Sequence, residues 1–254
     1  MQIYPEGVFL NSIPKAGTVL LNNIFMQFIS PEMKIVSPWL SAATIGHDAF
    51  RDVRGKVFIG HLPFSNAAWA KLKNCKQILL VRNPKDVCLA YARFYASEEM
   101  SGRSNLTEFI RRQQPSLSAV LRFMLAGWQI DGERHPPVIV SWREIARWAY
   151  LPNVKTVTYE ELIFRLRHIE SFESEVFFQA ILEHGGIDVG EFPDWRARVA
   201  SGAEAERSPT FRGNLVSLVP TEGFPSAQDL AILDLDYHDL SIMYEHAFLR
   251  RDLE

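Results

Sequence analysis

Lys15, Gly17 and Thr18 share one short turn within Val8-Phe9-Leu10-Asn11-Ser12-Ile13-Pro14-Lys15-Ala16-Gly17-Thr18-Val19-Leu20-Leu21. An apolar run precedes the turn and a second apolar stretch with helical spacing follows it. That order predicts strand, loop and helix N-terminus. The first N–H groups of a helix have no partner within it and carry partial positive charge, so an anion binds there readily. Gly17 lets the backbone approach the anion, Thr18 adds a hydroxyl donor and Lys15 adds a full charge. The chemistry this predicts is capture of a phosphate or sulfate group. For so short a motif, a solvated lysine in a surface turn is the plain alternative.

The nearest general motif is the Walker A loop, Gly-x-x-x-x-Gly-Lys-[Ser/Thr], and this loop departs from it. Here the lysine precedes the glycine, the first glycine is missing and no Lys-Ser or Lys-Thr pair opens the helix. An ordinary ATP- or GTP-hydrolysing domain is therefore disfavoured.

Three later segments have the same strand-to-loop character. Val57-Phe58-Ile59-Gly60-His61-Leu62-Pro63 is an apolar run ending in a histidine. Lys76-Gln77-Ile78-Leu79-Leu80-Val81-Arg82-Asn83-Pro84-Lys85-Asp86-Val87 is a buried-type strand running into Arg82, with Pro84 and Asp86 suited to the first turn of a helix. Val154-Lys155-Thr156-Val157-Thr158-Tyr159-Glu160-Glu161-Leu162 is a strand ending in Tyr-Glu-Glu-Leu.

In this order the four segments resemble the sulfotransferases that use 3′-phosphoadenosine 5′-phosphosulfate (PAPS). Ser141-Trp142 with Trp148, and Phe211-Arg212-Gly213, add to the likeness, which spans about residues 8 to 215. The resemblance implies an α/β fold with a central parallel sheet flanked by helices and a P-loop-like loop holding the 5′-phosphosulfate. It implies donor binding by Lys15, Ala16, Gly17, Thr18, Val19, Leu20, Arg82, Ala90, Tyr159, Phe211, Arg212 and Gly213. Among these, Arg82 and Arg212 go to the 3′-phosphate and Tyr159 lies near the adenine. His61 becomes the catalytic base and Lys15 the group that stabilises the leaving phosphate.

The departures from the family pattern are specific. Ala90 stands where the family often has a serine contact to the 3′-phosphate. Ile59-Gly60 replaces the Lys-Thr that precedes the histidine segment in cytosolic members, which leaves Lys15 more of the charge at the sulfuryl site. Leu20 replaces a tryptophan that often stacks on the adenine. Gly-Asp-Trp is missing after Phe211-Arg212-Gly213, so Arg212 has an open register of one position.

The chemistry implied is transfer of a sulfuryl group from a phosphosulfate anhydride to a hydroxyl or amine acceptor. The transition state is loose and anionic, so catalysis rests on positioning and positive electrostatics. Histidine has the intrinsic pKa of a base for a hydroxyl. A lone histidine is more often structural, and only the family match selects His61; His47, beside Asp48, is the rival base. The resemblance requires no metal, and the sequence shows no metal-ligand cluster. Two other classes stay open: a non-catalytic nucleotide-binding protein of the same fold, and a small-molecule kinase with a degenerate phosphate loop.

The elements that must position these residues alternate. Strands are predicted near 8–13, 57–60, 77–81 and 154–158. Helices are predicted near 18–29, 66–73, 85–96, 105–113, 117–130, 142–149, 174–184 and 227–247, the last with a break. Such alternation favours a parallel sheet covered by helices, with ligands beyond the carboxyl ends of the strands. Lys15, His61, Arg82 and Tyr159 all fall just past predicted strand ends. The stretch 186–226 reads as a long loop that would bring Arg212 over the nucleotide. The acceptor is expected to be a small-molecule, sugar or peptide hydroxyl. Phe28, Trp39, Phe50, Phe94, Tyr95, Phe109 and Phe123 are available for an apolar or aromatic pocket.

Bulk properties suit a globular enzyme. The 254 residues are expected to form a single domain over 1–254, with length ample for a sizeable core. A net charge of -3 gives no general attraction to nucleic acid or an anionic membrane. Two cysteines, Cys75 and Cys88, make no disulfide framework. The first strand starts almost at once and no run approaches ~18 apolar residues. Hence no leader and no membrane span are expected, and the expected location is cytoplasmic. The dimerisation motif of some cytosolic relatives is not found, and no oligomeric state is assigned.

Overall fold

The computed structural model describes residues 4–204 and 216–244. The chain falls into two compact units, one of residues 1–82 and 144–206, the other of 83–143 and 207–254. The first unit opens with β1 (Val8–Ser12), α1 (Thr18–Met26), β2 (Lys34–Leu40), β3 (Val57–Gly60), α2 (Asn66–Leu72) and β4 (Lys76–Val81). The second unit holds α3 (Pro84–Tyr95), α4 (Asn105–Gln113), α5 (Leu117–Ala126) and the short strands β5 (Trp128–Ile130) and β6 (Glu133–His135). The boundary falls inside α6 (Val138–Ala146). The first unit then resumes with β7 (Val154–Thr158), α7 (Tyr159–Arg167), α8 (Phe172–His184) and α9 (Trp195–Glu204), and α10 (Ala227–Tyr244) returns to the second.

The first unit is built on a five-stranded parallel sheet in the order β2-β3-β1-β4-β7. Its central strand β1 is buried along its whole length, as its apolar sequence requires when helices cover the sheet. The Phe9 and Phe58 rings stack at 5.1 Å across β1 and β3. Because all strands run one way, Ser12, Gly60, Val81 and Thr158 end at the same edge. The expected α/β fold, a central parallel sheet flanked by helices, is the one observed.

Several local expectations are corrected. The strand β2 was not predicted: Ser37 and Pro38 interrupt its pattern, and its register with β3 shifts between Ile35 and Leu40, as a bulged edge strand does. The predicted helix 117–130 stops at Ala126. Gly127 (φ 75°) breaks it, and Asp131-Gly132 (φ 48° and 83°) turns a hairpin that makes 128–130 a strand. Helix α7 starts directly at Tyr159, because the Thr158 side chain accepts the Glu161 N–H at 3.1 Å and caps it. The predicted long loop 186–226 contains helix α9, which buries Trp195 and Val199 and lays Gly202 against the Ile24 backbone of α1. Helix α10 runs unbroken from Ala227 to Tyr244. Phe211, Arg212 and Gly213 lie outside the described residues.

In the second unit α3 packs on α5 and α10. Asn83 caps α3, its side chain accepting the Lys85 N–H at 3.0 Å, with Pro84 in the first turn as predicted. Ala90 lies within α3. Cys75 and Cys88 are both buried, and neither forms a disulfide among the described residues. Among the described residues no helix is long and apolar enough to cross a membrane, and none of the described residues form a group of three or more His, Cys, Asp or Glu that could hold a metal ion.

Candidate active site

The site is built at the carboxyl edge of β1, β3, β4 and β7, within the first unit. The loop after β1 enters α1 through Gly17, whose φ of 96° is left-handed. Leu21 N–H is bonded to the Gly17 carbonyl at 3.1 Å, so the N–H groups of Thr18, Val19 and Leu20 lie ahead of the helical ladder and form the mouth of α1, where an anion would be met by partial positive charge. The Ala16 N–H is committed elsewhere, to the Ile13 carbonyl at 3.0 Å. The loop motif thus supplies three helix N–H groups, and Ala16 acts by shaping the turn.

Lys15 also sits in the left-handed region, at φ 68°. A side-chain-bearing residue there costs about 1–2 kcal/mol. Arg82, at the end of β4, holds the loop in place: its Nη1 donates to the Lys15 carbonyl at 3.0 Å. A hydrogen bond from a charged donor is worth about 1.5–3 kcal/mol, enough to offset that strain. The Arg82 guanidinium also lies over the Tyr159 ring, 4.5 Å from its centroid. Tyr159 in turn faces Gly17, where an added Cβ would come within 2.9 Å of the Tyr159 Cδ2. Lys15 and Gly17 of the loop, Arg82 and Tyr159, drawn from three separate segments, therefore form one contiguous cluster.

Gly17→Ala tests that cluster. The substitution forces a side chain into a left-handed backbone and against an aromatic ring, and should destabilise the fold by about 1–3 kcal/mol. Denaturant unfolding of Gly17→Ala and of Gly17→Ala with Tyr159→Ala separates the two causes. Removing the ring should recover part of the loss; no recovery would mean the ring does not press on the loop.

His61 follows β3, and its backbone N–H bonds the Leu40 carbonyl at 2.9 Å. The next residue is clamped from two sides. The Asn11 side chain accepts the Leu62 N–H at 3.1 Å, and the Trp148 indole donates to the Leu62 carbonyl at 2.8 Å. Trp148 is fully buried, so its family-like position has a structural meaning: it fixes the histidine segment. Gly60 is also explained, since a Cβ there would lie 1.9 Å from the Leu40 carbonyl oxygen. The close approach of β2 excludes the family's threonine at this position.

The His61 ring is held by β1. Its Nδ1 lies 2.9 Å from the Ser12 carbonyl and 3.1 Å from the Ser12 hydroxyl. A carbonyl oxygen only accepts, so Nδ1 carries the hydrogen and Nε2 keeps its lone pair. Burial, and secondarily the Lys15 charge, push the imidazole down to about 4, against a bond to the Ser12 backbone that acts the other way. The ring is therefore a neutral acceptor at neutral pH. The Trp39 ring stands edge-on to it at 5.2 Å and is 38% exposed.

His47, the rival base, has a structural role. Its Nδ1 accepts the Ala49 N–H at 3.1 Å and starts a short helical turn. Two of the expected pocket aromatics are corrected as well. Phe28 and Phe50 are 2% and 1% exposed and pack against Phe192 and Phe58, so they belong to the core. Asn11, Ser12 and Leu40 were not singled out from the sequence. Asn11 and Ser12 stand out only as a polar pair inside an apolar strand, which a local packing need explains equally well, and nothing in the sequence marks Leu40.

No curated protein sequence matches the chain. A crystal structure of mouse sulfotransferase SULT7A1 complexed with PAP superposes with a TM-score of 0.58 at 17% identity, covering 97% of this chain and 90% of that one. The match shows a shared fold. The model of the sulfotransferase domain matches residues 5–169, a span containing every strand of the parallel sheet together with Lys15, His61 and Arg82, and the chain belongs to the sulfotransferase family.

Proposed function

We propose that this protein transfers a sulfuryl group from PAPS to a hydroxyl or amine acceptor, with His61 as base and Lys15 stabilising the leaving phosphate. The observation that carries the reading is the pairing of two features in one unit. A helix mouth with Lys15 beside it suits an anionic donor, and a neutral imidazole with its Nε2 lone pair available is close enough to feel the Lys15 charge. The residues present fit the donor. The N–H groups of Thr18, Val19 and Leu20, with Lys15, would hold the 5′-phosphosulfate; Arg82 with Tyr159 would take the 3′-phosphate and adenine side. The bound donor supplies the activated sulfuryl group. PAP in the mouse relative's structure agrees with a nucleotide of this class.

In this reading the chain contributes position and charge. The loop amides and Lys15 stabilise negative charge on the departing phosphate. His61 Nε2 takes the acceptor proton, and its Nδ1–H, fixed on Ser12, keeps the ring in the required tautomer. Trp39, exposed beside the base, is the wall on which an acceptor ring or sugar face would rest. A screen of phenol, aliphatic alcohol, sugar and tyrosine-peptide acceptors with labelled PAPS tests the function directly. Thermal-shift comparison of adenosine 3′,5′-bisphosphate with magnesium ATP adds a test of the donor class. Stabilisation by ATP alone would replace this reading with a kinase; binding of the bisphosphate with no transfer to any acceptor would replace it with a nucleotide-binding protein.

Arg82→Ala refines the donor site. The side chain braces the loop and is also assigned the 3′-phosphate, so its loss should weaken adenosine 5′-phosphate somewhat and the 3′,5′-bisphosphate more. The extra loss should be at least about tenfold, the value of one charge-assisted hydrogen bond. Calorimetric titration of both nucleotides measures the difference. Equal weakening would reduce Arg82 to a brace.

A further inference from the structure

The mechanism uses His61 and the loop, but not the two hydroxyls that lie between them. Ser12, the last residue of β1, is 1% exposed. Its Oγ lies 3.1 Å from His61 Nδ1 and 2.5 Å from Thr18 Oγ1. These are the only hydrogen-bond partners of that side chain among the described residues. Thr18 opens α1 and stands in the proposed anion site.

The direction of donation follows from the chemistry of each group. Nδ1 carries a hydrogen, because it faces the Ser12 carbonyl. The Ser12 oxygen therefore accepts from Nδ1, and its own hydrogen is left for Thr18. Thr18 then accepts from Ser12, and the Thr18 hydrogen is left for an anion at the helix mouth. The reverse order would leave the Ser12 hydrogen aimed at an N–H and would remove the Thr18 donor from the anion. A chain of this kind polarises along its length: an anion that pulls on the Thr18 hydrogen makes each oxygen behind it a better acceptor. At the far end the Nδ1–H is held more firmly and Nε2 becomes more basic.

We propose that Ser12 is a positioning residue that aligns the His61 imidazole and, through Thr18, couples the base to the filling of the phosphosulfate loop. The proposal rests on the sulfuryl-transfer reading for its catalytic meaning, while the hydrogen-bond chain stands on the geometry alone. Lys15 is the charged group whose field reaches His61; Trp39 of β2 contributes a ring and Leu40 a carbonyl to the backbone. The hydroxyl chain is thus distinct from the charge that acts on the base.

Steady-state kinetics of Ser12→Ala, Ser12→Thr, His61→Ala and the Ser12→Ala/His61→Ala pair test the assignment. Ser12→Ala should lower kcat about tenfold, one hydrogen bond's worth, with donor KM within about twofold. Ser12→Thr, which keeps the hydroxyl, should restore most of it. In the His61→Ala background, Ser12→Ala should have no further effect, because the two act as one unit. Multiplying losses, or a loss confined to donor KM, would overturn the proposal. A second readout needs no turnover: the ring-nitrogen resonances of labelled His61 in the ligand-free protein. Ser12→Ala should move the Nδ1 resonance, and an unmoved resonance would overturn the contact. A parent protein that transfers no sulfuryl group would sink the functional reading, and the imidazole spectrum would still decide this one.

Discussion

His61→Ala should leave donor binding nearly intact and cut turnover by roughly two to four orders of magnitude, the usual range for loss of a general base. The two halves of this expectation come from different contacts. The ring is fixed through Nδ1 to Ser12, and its backbone to Leu40, so its removal leaves the Lys15–Arg82–Tyr159 cluster standing. Nε2 is the atom that would meet the acceptor, so the deficit should depend on the acceptor. Acidic phenols ionise unaided and should lose least; aliphatic alcohols should lose most. The pH profile gives an independent reading. With the imidazole held down to about 4, the base stays unprotonated well below the ordinary value of 6.5. The acid limb of kcat/KM, which reports the free enzyme, should therefore fall near 4 and vanish in His61→Ala. Turnover of aliphatic acceptors at the parent rate by His61→Ala would remove His61 from the mechanism, and the capping role of His47 makes it a poor replacement.

The parts of the site that could be read from sequence are those whose side chains are out of place unless they do something there. A lysine in a Pro-Lys-Ala-Gly-Thr turn, an arginine at the end of a run of buried aliphatics and a tyrosine closing a strand all break an apolar pattern at a strand end. In a parallel sheet the strand ends share one edge, so the placements converge. What connects them could not be read. Ser12 and His61 are 49 residues apart, and their contact exists only because β3 pairs beside β1. Two polar residues in a buried strand are equally consistent with a local packing need, so Asn11 and Ser12 carried no functional signal of their own. Arg82 shows a different gap. Its residue type fitted a phosphate ligand, but its bond to the Lys15 carbonyl is set by the left-handed turn at Lys15, which residue type does not reveal.

The departures from the family pattern divide in the same way. Ile59 stands where cytosolic members have the lysine of the sulfuryl site, and nothing in the structure explains that change. The structure gives its neighbour Gly60 a positive reason, because the Leu40 carbonyl occupies the space a side chain would need. The second helical unit was less legible still. The first strand of the Asp131-Gly132 hairpin was hidden at the end of the apparent helix 117–130, since Trp128 continues a helical spacing of apolar residues by chance. Periodicity over so few residues does not separate a strand from the last turn of a helix; the turn dipeptide does.

Lys15→Ala should slow turnover for every acceptor, by about two to three orders of magnitude, the range for removing one stabiliser of transition-state charge. Its pattern should differ in kind from that of His61→Ala, because the proposed role of Lys15 is on the donor side. Alanine and lysine carry the same penalty in a left-handed backbone, and the bond from Arg82 goes to the carbonyl of this residue. The turn should therefore survive the substitution, and the loss can be assigned to the ammonium. PAPS should be weakened more than adenosine 3′,5′-bisphosphate, since the missing charge faces the phosphosulfate end. Acidic phenols should gain no relief, because the barrier lies at the departing phosphate. The base should respond too: the Lys15 charge is one of the two influences that lower the His61 pKa, so without it the acid limb of kcat/KM should move to higher pH. Stopped-flow turnover with a phenol series, calorimetry with the two nucleotides and a pH profile together give the test. An acceptor-dependent loss with an unmoved acid limb would place Lys15 on the acceptor side and leave the loop amides alone at the leaving group.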